Sequence, residues 1–330
     1  MPLDLEKNIG LTVCANHEII HIDNSKGEYN IFEAYNLGIK RAKGEYLCFM
    51  HEDIIFKKQG WGKVVEQFLS RDEVGALGVA GGHVVVGQID WRFYGFLHLF
   101  LTQGYTSIEP LPVYYYPHTY VPSTSGVLKQ VAVIDGVWMC FRKTMFNHIC
   151  FDEQNFRGFH LYDSDICMQV NKLGKGVFVT DEVFLEHKSE GTFSEGYRNS
   201  LKLFFKKWET SLPLIKGITL RKEDVDKVLP EAYQRFEERL KRDSVAVEIR
   251  KLIRQKEAGI PTRIFTPEEE AFMDQSSFFA RKCLIKDKSV STALAWNHTK
   301  EYLRYPFVRH KCKLLFKFLW YRYIKIQSNK

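Results

Sequence analysis

One apolar run that stops abruptly on charged residues constrains the fold more than any other stretch of this chain. Tyr46–Met50 contains no charged residue, and His51, Glu52 and Asp53 follow it directly. A short continuous apolar run is typical of a strand buried on both faces, as in a parallel sheet. Charged side chains at the end of such a strand lie near the crevice where open α/β sheets bind ligands. The run therefore predicts a ligand site beside residues 51–53.

The preceding segment repeats this arrangement. Residues 17–22 form a run that ends on an acid, Asp23, and Ile31–Ala42 has the apolar spacing of a helix, with Gly44 as a stop signal behind it. The pattern predicts a strand–helix–strand unit with Asp23 and Asp53 at one edge of one sheet. Taken singly, either carboxylate is also consistent with a solvated turn.

Further strands and helices follow with polar residues at their ends. Val74–Ala80 is a third apolar run, and residues 131–141 predict a strand pair interrupted at Asp135. Asp163 and Ser164 stand where they would cap a helix, and strands are expected at 176–179 and 183–187. Together these patterns predict an α/β fold with a mostly parallel sheet flanked by helices.

The composition changes near Pro213, after which charged helical segments dominate. We expect residues 222–257 to form two or three exposed helices broken around Pro230, and a helix to begin at Thr266. A chain of 330 residues exceeds the usual size of one core, so it should contain a large and a smaller domain. The predicted division is a domain of residues 1–213 and a helical, basic C-terminal extension of residues 214–330.

The cysteines and the apolar runs indicate the compartment. The 7 cysteines are odd in number, and no two have the Cys-x-x-Cys spacing, which argues for free thiols in a reducing cytosol. No secretory signal opens the sequence. The longest uncharged apolar run, residues 74–89, is too short to span a bilayer. We therefore expect a soluble, cytoplasmic protein, with contact at the inner face of the membrane as an open alternative.

The last residues concentrate positive charge. Residues 304–330 contain eight lysines or arginines and no acid, mixed with Tyr, Phe and Trp. This composition is consistent with an anionic membrane surface, with packing on the main domain, or less well with nucleic acid. We expect no nucleic-acid partner and keep peripheral membrane contact through residues 304–330 as a prediction.

Acids and imidazoles gather at the predicted strand and helix ends and indicate a metal site. The set is Asp23, His51 with Asp53, Asp163 with Asp165, and His187. Carboxylate oxygen with imidazole nitrogen suits Mg²⁺, Mn²⁺ or Zn²⁺, and spacing alone does not choose among them. The sequence has neither a Gly-x-x-x-x-Gly-Lys loop nor a Gly-x-Gly-x-x-Gly loop after its strands, which are the usual phosphate-binding loops. A phosphorylated ligand would therefore be held by metal and positive charge.

At these residues the chain resembles a known family, the bacterial family 2 glycosyltransferases of GT-A fold. The resemblance rests on the segments at residues 18–25 and 34–53, on Asp135-Gly-Val-Trp-Met-Cys-Phe, on Tyr162-Asp-Ser-Asp, and on His187. It covers roughly residues 5–213, and its strength is the order of the motifs. It implies a GT-A type sheet and a nucleotide-diphosphate sugar as donor.

The resemblance also implies roles for individual residues. His51 and Asp53 occupy the position of the family's Asp-x-Asp motif, so Asp53 would hold a divalent cation, Mn²⁺ or Mg²⁺, against the diphosphate. His187 would be a further protein ligand of that cation, and His51 could ligate it as well. Asp163 falls on the position of the catalytic base.

The same resemblance places the substrates. Asp23 would contact the base or ribose of the nucleotide, and Asn36 would lie near the nucleotide pocket. Trp138 would line the acceptor side. With one base opposite the leaving group, transfer would proceed by single displacement with inversion to a saccharide or lipid-linked acceptor, in the synthesis of a surface polysaccharide or glycolipid.

Two departures from the family pattern stand out. The family opens with a central strand ahead of its first helix, whereas Met1 begins where that helix should be. Either Leu11–Cys14 supplies a substitute strand or the recorded start lies downstream of the true one. His51 also replaces the first Asp of the metal motif, and Tyr162 replaces an acid that often precedes the base.

Two rival hypotheses accompany the metal-dependent glycosyltransferase. One is a catalytically impaired GT-A-like module that binds carbohydrate or protein partners. The other is a nucleotidyltransferase on a similar sheet, which is disfavoured because no glycine-rich, basic phosphate loop follows an N-terminal strand.

Overall fold

The computed structural model describes residues 3–99, 101–103, 128–187 and 191–270. The chain divides into two compact units, one of residues 1–104 and 111–244 and one of residues 105–110 and 245–330. The predicted tail contact through residues 304–330 lies outside the described residues. Among the helices of the described part, none has both the length and the apolar character needed to cross a membrane.

The described part of the first unit contains both α-helices and β-strands. The helices are α1 (Leu3–Thr12), α2 (Ile31–Arg41), α3 (Trp61–Leu69), α4 (Tyr162–Lys172), α5 (Glu195–Trp208) and α6 (Lys222–Glu257), the last of which continues into the second unit. The strands are β1 (Tyr46–Met50), β2 (Ile54–Phe56), β3 (Val74–Gly78), β4 (Ala80–Gly82), β5 (Val84–Val85), β6 (Leu97–Leu99), β7 (Leu101–Gln103), β8 (Leu128–Val131), β9 (Val133–Ile134), β10 (Trp138–Arg142), β11 (Gly176–Thr180), β12 (Leu185–His187) and β13 (Leu214–Ile215).

The largest described sheet has five strands in the order β1-β10-β3-β11-β8. β3 and β11 pair in parallel, whereas β1 with β10, β10 with β3, and β11 with β8 pair antiparallel. The α/β class predicted from the sequence is confirmed, with more antiparallel pairing than the apolar runs indicated.

The burial of β1 differs from the one that its uncharged, apolar sequence predicts. Its residues alternate between half-buried and buried, so it is not buried evenly on both faces as predicted. Within the described residues its one strand partner is β10, which makes β1 an edge strand of this sheet. Its half-buried side chains include Tyr46 and Met50, which pack against the core.

The predicted strand at residues 17–22 is not formed, because no described strand pairs with it. A carboxylate holds this segment near the start of β1: Glu18 Oε1 accepts the N–H groups of Lys43 and Gly44 at 2.6 and 3.0 Å. The alternative strand at Leu11–Cys14 is not formed either, since α1 extends to Thr12. An extended segment becomes a strand only when a neighbour takes up its backbone hydrogen bonds.

Local signals account well for the helices of the first unit. α2 begins with a capping box, in which the Asn30 side chain accepts from the N–H of Glu33 while the Glu33 carboxylate accepts from the N–H of Asn30. Residues 61–69 have apolar side chains at Trp61, Val64, Val65 and Phe68, which is the spacing of an amphipathic helix, and α3 buries this face. Both helices confirm the sequence-based expectation.

Two helix predictions need correction. At α4 the N-cap is Leu161, with φ of 64° and no side-chain cap, so Asp163 and Ser164 lie inside the first turn. The segment around Pro230 is one continuous helix, α6, with the proline inside it. The hydrogen bond that Pro230 removes is offset by the burial of Val225, Ala232 and Phe236 in the core.

Candidate functional site

Strand pairing brings His51, Asp53 and His187 together. His51 and Asp53 follow β1 and precede β2, and β2 pairs antiparallel with β12 so that Ile54 lies opposite His187. The His51 N–H also donates to the carbonyl of Val137 at 3.1 Å, which fixes this turn against the start of β10. The polar residues at the ends of β1 and β12 therefore meet at one place.

The three side chains form a compact set of possible metal ligands. His187 Nε2 lies 3.2 Å from Asp53 Oδ1 and 3.2 Å from His51 Nδ1. One ligand atom of each residue lies within 4.8 Å of the other two. Two imidazoles and one carboxylate suit a divalent ion such as Mn²⁺ or Zn²⁺ and leave coordination positions for a substrate. The residues at this place therefore fit a divalent cation.

The remaining nitrogen of His51 is held by Tyr162. His51 Nε2 lies 2.8 Å from the Tyr162 hydroxyl, which leaves Nδ1 to face His187. Burial lowers the pKa of His51, and His187 and Arg92 act in the same direction against Asp135 and Asp53. The imidazole is therefore neutral near pH 7, which is the form that can ligate a metal.

Asp163 lies next to Tyr162 in the chain and is buried in the first turn of α4. Its Oδ1 accepts the N–H of Ser164 at 2.7 Å, and its Oδ2 accepts the N–H of Gly136 at 3.1 Å. Burial raises the pKa of Asp163 to about 6, although Arg92 opposes this shift. A carboxyl group with a pKa in this range can take up a proton near neutral pH, as a general base must.

A second group of charges surrounds Asp163. Arg92 Nη2 lies 3.5 Å from Asp163 Oδ2 and donates to Asp135 Oδ2 at 2.6 Å, while Arg92 Nη1 donates to both oxygens of Asp90 at 3.0 Å. Burial alone would raise the pKa of Asp135, but the Arg92 charge and hydrogen bonds lower it to about 2. Asp135 and Asp163 are thus neighbouring carboxyl groups with opposite pKa shifts.

The residues predicted to contact the nucleotide make their described hydrogen bonds with residues other than the aspartates and histidines of this site. Asp23 is exposed in a turn, where its Oδ1 accepts the N–H of Ser25 at 3.0 Å. The Asn36 amide joins α2 to residues 151–153: Nδ2 donates to the Phe151 carbonyl at 2.7 Å and to Glu153 Oε2 at 2.8 Å. The nucleotide-binding roles of Asp23 and Asn36 remain predictions.

Trp138 and Asp165 have mainly internal contacts. Trp138 is fully buried and meets Trp61 and Phe56 edge to face, with ring centroids 6.2 and 6.5 Å away. Its acceptor-side role remains a prediction. Asp165, a candidate polar residue of the sequence pattern, is buried where its Oδ1 accepts from Trp208 Nε1 at 2.8 Å and pairs with Lys207 at 2.7 Å. It joins α4 to α5.

Sequence reasoning missed Arg92 and the contact that Tyr162 makes. Arg92 stands in an aromatic segment, Trp91–Tyr94, directly after Asp90. The aromatic, proline and glycine content of residues 90–128 predicts loops and short antiparallel strands there and singles out no charged residue. The available signal was a single arginine among three aromatic residues that follow an acid, which is unusual unless its charge is paired. Tyr162 was noted only as a replacement for an acid, and its contact with His51 depends on the tertiary fold.

Comparison with known proteins identifies a matching family and a similar protein. The sequence profile of a family described as "Glycosyltransferase like family" matches residues 4–208. A similar protein is the streptomycin biosynthesis protein StrF of Streptomyces griseus, which is 24% identical over 178 residues. That alignment covers 53% of this chain and 58% of StrF, so the chain spans little more than half of the relative's length.

Proposed function

Because this chain belongs to the glycosyltransferase-like family, we propose that it transfers a sugar from a nucleotide-diphosphate sugar to a saccharide or lipid-linked acceptor. The observation that carries the proposal is the grouping of His51, Asp53 and His187 beside Asp163, with Tyr162 between them. Such a grouping offers a cation site and a base at adjacent places. These are the two things that displacement of a diphosphate by a hydroxyl requires.

His51, Asp53 and His187 would hold the divalent cation, Mn²⁺ or Mg²⁺. When bound, the cation supplies Lewis-acid chemistry that neutralises the charge of the departing diphosphate. Support comes from the His and Asp donor set, which is compact and keeps positions open for substrate oxygens. Tyr162 would orient His51 for this task through the hydrogen bond at Nε2.

Asp163 would act as the general base. Its carboxylate removes the proton from the acceptor hydroxyl as the hydroxyl oxygen bonds to the anomeric carbon of the donor sugar. In the same step the bond from that carbon to the diphosphate oxygen breaks and the electron pair leaves with the nucleotide. One displacement from the opposite side inverts the anomeric configuration. The buried position of Asp163 and its pKa near 6 support this role.

The remaining site assignments belong to this proposal and rest on the sequence resemblance. Asp23 and Asn36 would contact the nucleotide and Trp138 the acceptor. The catalytic residues would all lie within the predicted domain of residues 1–213. Residues 214–330 would extend it, and their basic end at 304–330 would contact an anionic membrane surface that carries the acceptor.

The test is a screen of UDP- and dTDP-sugars with Mn²⁺, with Mg²⁺ and with EDTA, reading thermal shift and release of the nucleoside diphosphate. We expect metal-dependent stabilisation and turnover with at least one donor. Binding of a donor without turnover on any acceptor would favour the catalytically impaired binding module. Absence of both binding and turnover would contradict the glycosyltransferase proposal.

Two variants separate the roles within the site. Asp163→Asn should lower kcat by about 10²–10⁴-fold while leaving donor affinity nearly unchanged, because the base acts only in the chemical step. Asp53→Ala should instead weaken metal-dependent donor binding. Equal loss of turnover and donor binding in Asp163→Asn would contradict the base assignment, and unchanged donor affinity in Asp53→Ala would remove Asp53 from the metal site.

A further inference from the structure

Arg92 lies at the centre of three aspartates, one of which is Asp163. Its Nη1 donates to both oxygens of Asp90 at 3.0 Å, and its Nε and Nη2 donate to Asp135 Oδ2 at 3.2 and 2.6 Å. Nη2 also lies 3.5 Å from Asp163 Oδ2. These contacts use all three nitrogens of the guanidinium. The planar fork of arginine allows this arrangement, which a lysine could not reproduce.

We propose that Arg92 is a positioning residue that holds Asp163 as an oriented carboxylate. The inference rests on the proposed function, in which Asp163 accepts a proton from the acceptor. Three donors engage the Asp163 carboxylate: Arg92 Nη2 and the N–H of Gly136 at Oδ2, and the N–H of Ser164 at Oδ1. A carboxylate offers about four lone-pair positions. One position is therefore left for the hydroxyl of a substrate.

Arg92 is itself fixed from several directions. Its guanidinium stacks 4.4 Å from the Trp91 ring, and its backbone N–H donates to Asp90 Oδ1 at 2.9 Å. The Tyr197 hydroxyl of α5 donates to Asp90 Oδ2. Asp135 is held in turn, since its Oδ1 accepts the N–H of Val137 at 2.9 Å. A side chain supported in this way can define the position of a neighbouring group closely enough for catalysis.

Charge gives this position a measurable consequence. Arg92 is the positive group nearest Asp163 in these contacts, and it opposes the rise in pKa that burial causes. Other groups that interact electrostatically with Asp163 are carboxyls, phenols and a thiol, and none of them is positively charged. They are Asp90, Asp135, Tyr35, Tyr162, Tyr197 and Cys167. Loss of the Arg92 charge should therefore raise the pKa of Asp163 further. A base works only when it is ionised. As the pH is lowered, a variant without the Arg92 charge should therefore lose activity at a higher pH than the wild type does.

The first experiment measures kcat against pH for the wild type, Arg92→Lys and Arg92→Gln. We expect kcat at pH 8 to fall about 10- to 100-fold in Arg92→Gln, as expected for a misplaced catalytic group. In the same variant the acid limb of the pH profile, where kcat falls as Asp163 is protonated, should move up by about one pH unit. Arg92→Lys keeps the charge but not the fork, so its kcat should fall while its acid limb moves less.

Arg142→Gln is the matched control. Arg142 is half-buried on β10 and donates to the carbonyls of Leu69, Arg71 and Asp72, away from the aspartate cluster. Its loss should lower thermal stability and leave the acid limb in place. An acid limb in Arg92→Gln that coincides with that of Arg142→Gln and the wild type would overturn the proposal. If Arg92→Gln does not fold, a wild-type kcat in Arg92→Lys would overturn it instead.

A second readout does not depend on turnover. In a double-mutant cycle of Arg92→Gln with Asp163→Asn, the fall in denaturation midpoint caused by Arg92→Gln should be smaller in the Asp163→Asn background at pH 8. This difference should vanish at pH 4.5, where Asp163 is protonated. Equal falls in both backgrounds at pH 8 would overturn the inference. Coupling without transfer from any donor would contradict the proposed function alone.

Discussion

At the scale of single residues, Tyr162 connects the two halves of the site. Its hydroxyl lies 2.8 Å from His51 Nε2, and its neighbour in the chain is Asp163. Its ring also meets Tyr35 and Phe32 edge to face, at 5.5 and 6.3 Å. Packing against the Tyr35 and Phe32 rings fixes the Tyr162 hydroxyl. The orientation of His51, a candidate metal ligand, therefore depends on a residue at the start of α4.

Gly136 gives a test of this connection. A Cβ at position 136 would lie 2.0 Å from the Tyr162 hydroxyl, so Gly136→Ala must displace that hydroxyl from His51. Because partners of metal-binding histidines set their orientation, we expect Mn²⁺ affinity to fall about 10- to 100-fold, as measured by calorimetric titration. Gly10→Ala, where nothing lies within 4 Å, is the control. Unchanged Mn²⁺ affinity in Gly136→Ala would show that Tyr162 does not orient His51.

Phe159 presents an aromatic ring beside the site. Its side chain is 56% exposed, and its ring centroid lies 5.7 Å from that of His51 and 5.9 Å from that of Tyr162. Aromatic side chains commonly line ligand sites, and an exposed ring here can stack on the apolar face of a sugar. Phe159→Ala should raise KM for the acceptor about tenfold and leave KM for the donor unchanged, whereas Phe159→Trp should retain acceptor binding. Equal changes for both substrates would contradict an acceptor platform.

At the scale of elements, α4 owes its position to a close approach against β3. A Cβ at Gly75 of β3 would lie 2.5 Å from Val170 Cγ1 of α4 and 2.7 Å from Lys175 Cβ. Asn171 of α4 adds a hydrogen bond to the carbonyl of Ala132 at 2.9 Å. α4 therefore carries Asp163 to its place by packing on the sheet and not by the side-chain cap that the sequence suggested.

Gly75→Ala should destabilise the protein, because the added methyl group overpacks the contact between β3 and α4. We expect a loss of about 1–3 kcal/mol in the free energy of unfolding. Gly38→Ala in α2, where nothing lies within 4 Å, should instead stabilise by up to about 1 kcal/mol. Thermal unfolding of both variants gives the comparison, and an equal melting temperature for Gly75→Ala and the wild type would contradict the packing argument.

At the scale of the whole molecule, the first part of α6 belongs to the core of the first unit. Phe236 meets Phe93 and Phe193 with ring centroids 5.3 and 6.4 Å away. Arg235 Nη2 donates to the carbonyl of Phe93 at 2.8 Å, and Asp243 accepts the N–H of Phe193 at 3.0 Å. These contacts lie beyond the predicted domain boundary at residue 213.

Truncation tests that boundary. A chain ended after Ser244 keeps the contacts of Phe236 and Asp243 and should unfold near the temperature of the first unit in the full chain. A chain ended after Pro213 loses them and exposes Phe93 and Phe193, so it should melt at least several degrees lower or aggregate. Equal melting temperatures for the two truncated chains would support residue 213 as the end of an independent domain.

The sequence was most informative where the controlling interactions are local. The apolar spacing of α2 and α3 and the family resemblance are evident in the sequence. The capping box at Asn30 and Glu33 is a signal of the same local kind. Predictions failed where a distant partner decides the outcome. Residues 17–22 have the composition of a strand but no described neighbour to pair with, and Pro230 does not break α6 because its neighbours are buried.

The identities of His51, Asp53, Asp163 and His187 as candidate site residues followed from the sequence by itself, because polar side chains at the ends of apolar runs leave a pattern within a few positions. Their arrangement did not. His51 and His187 are 136 residues apart, and Arg92 and Asp163 are 71 residues apart. Only the pairing of β2 with β12 and the packing of α4 on the sheet bring these side chains within hydrogen-bonding distance. Burial and strand pairing act between surfaces that are far apart in the chain, so the linear sequence does not reveal them.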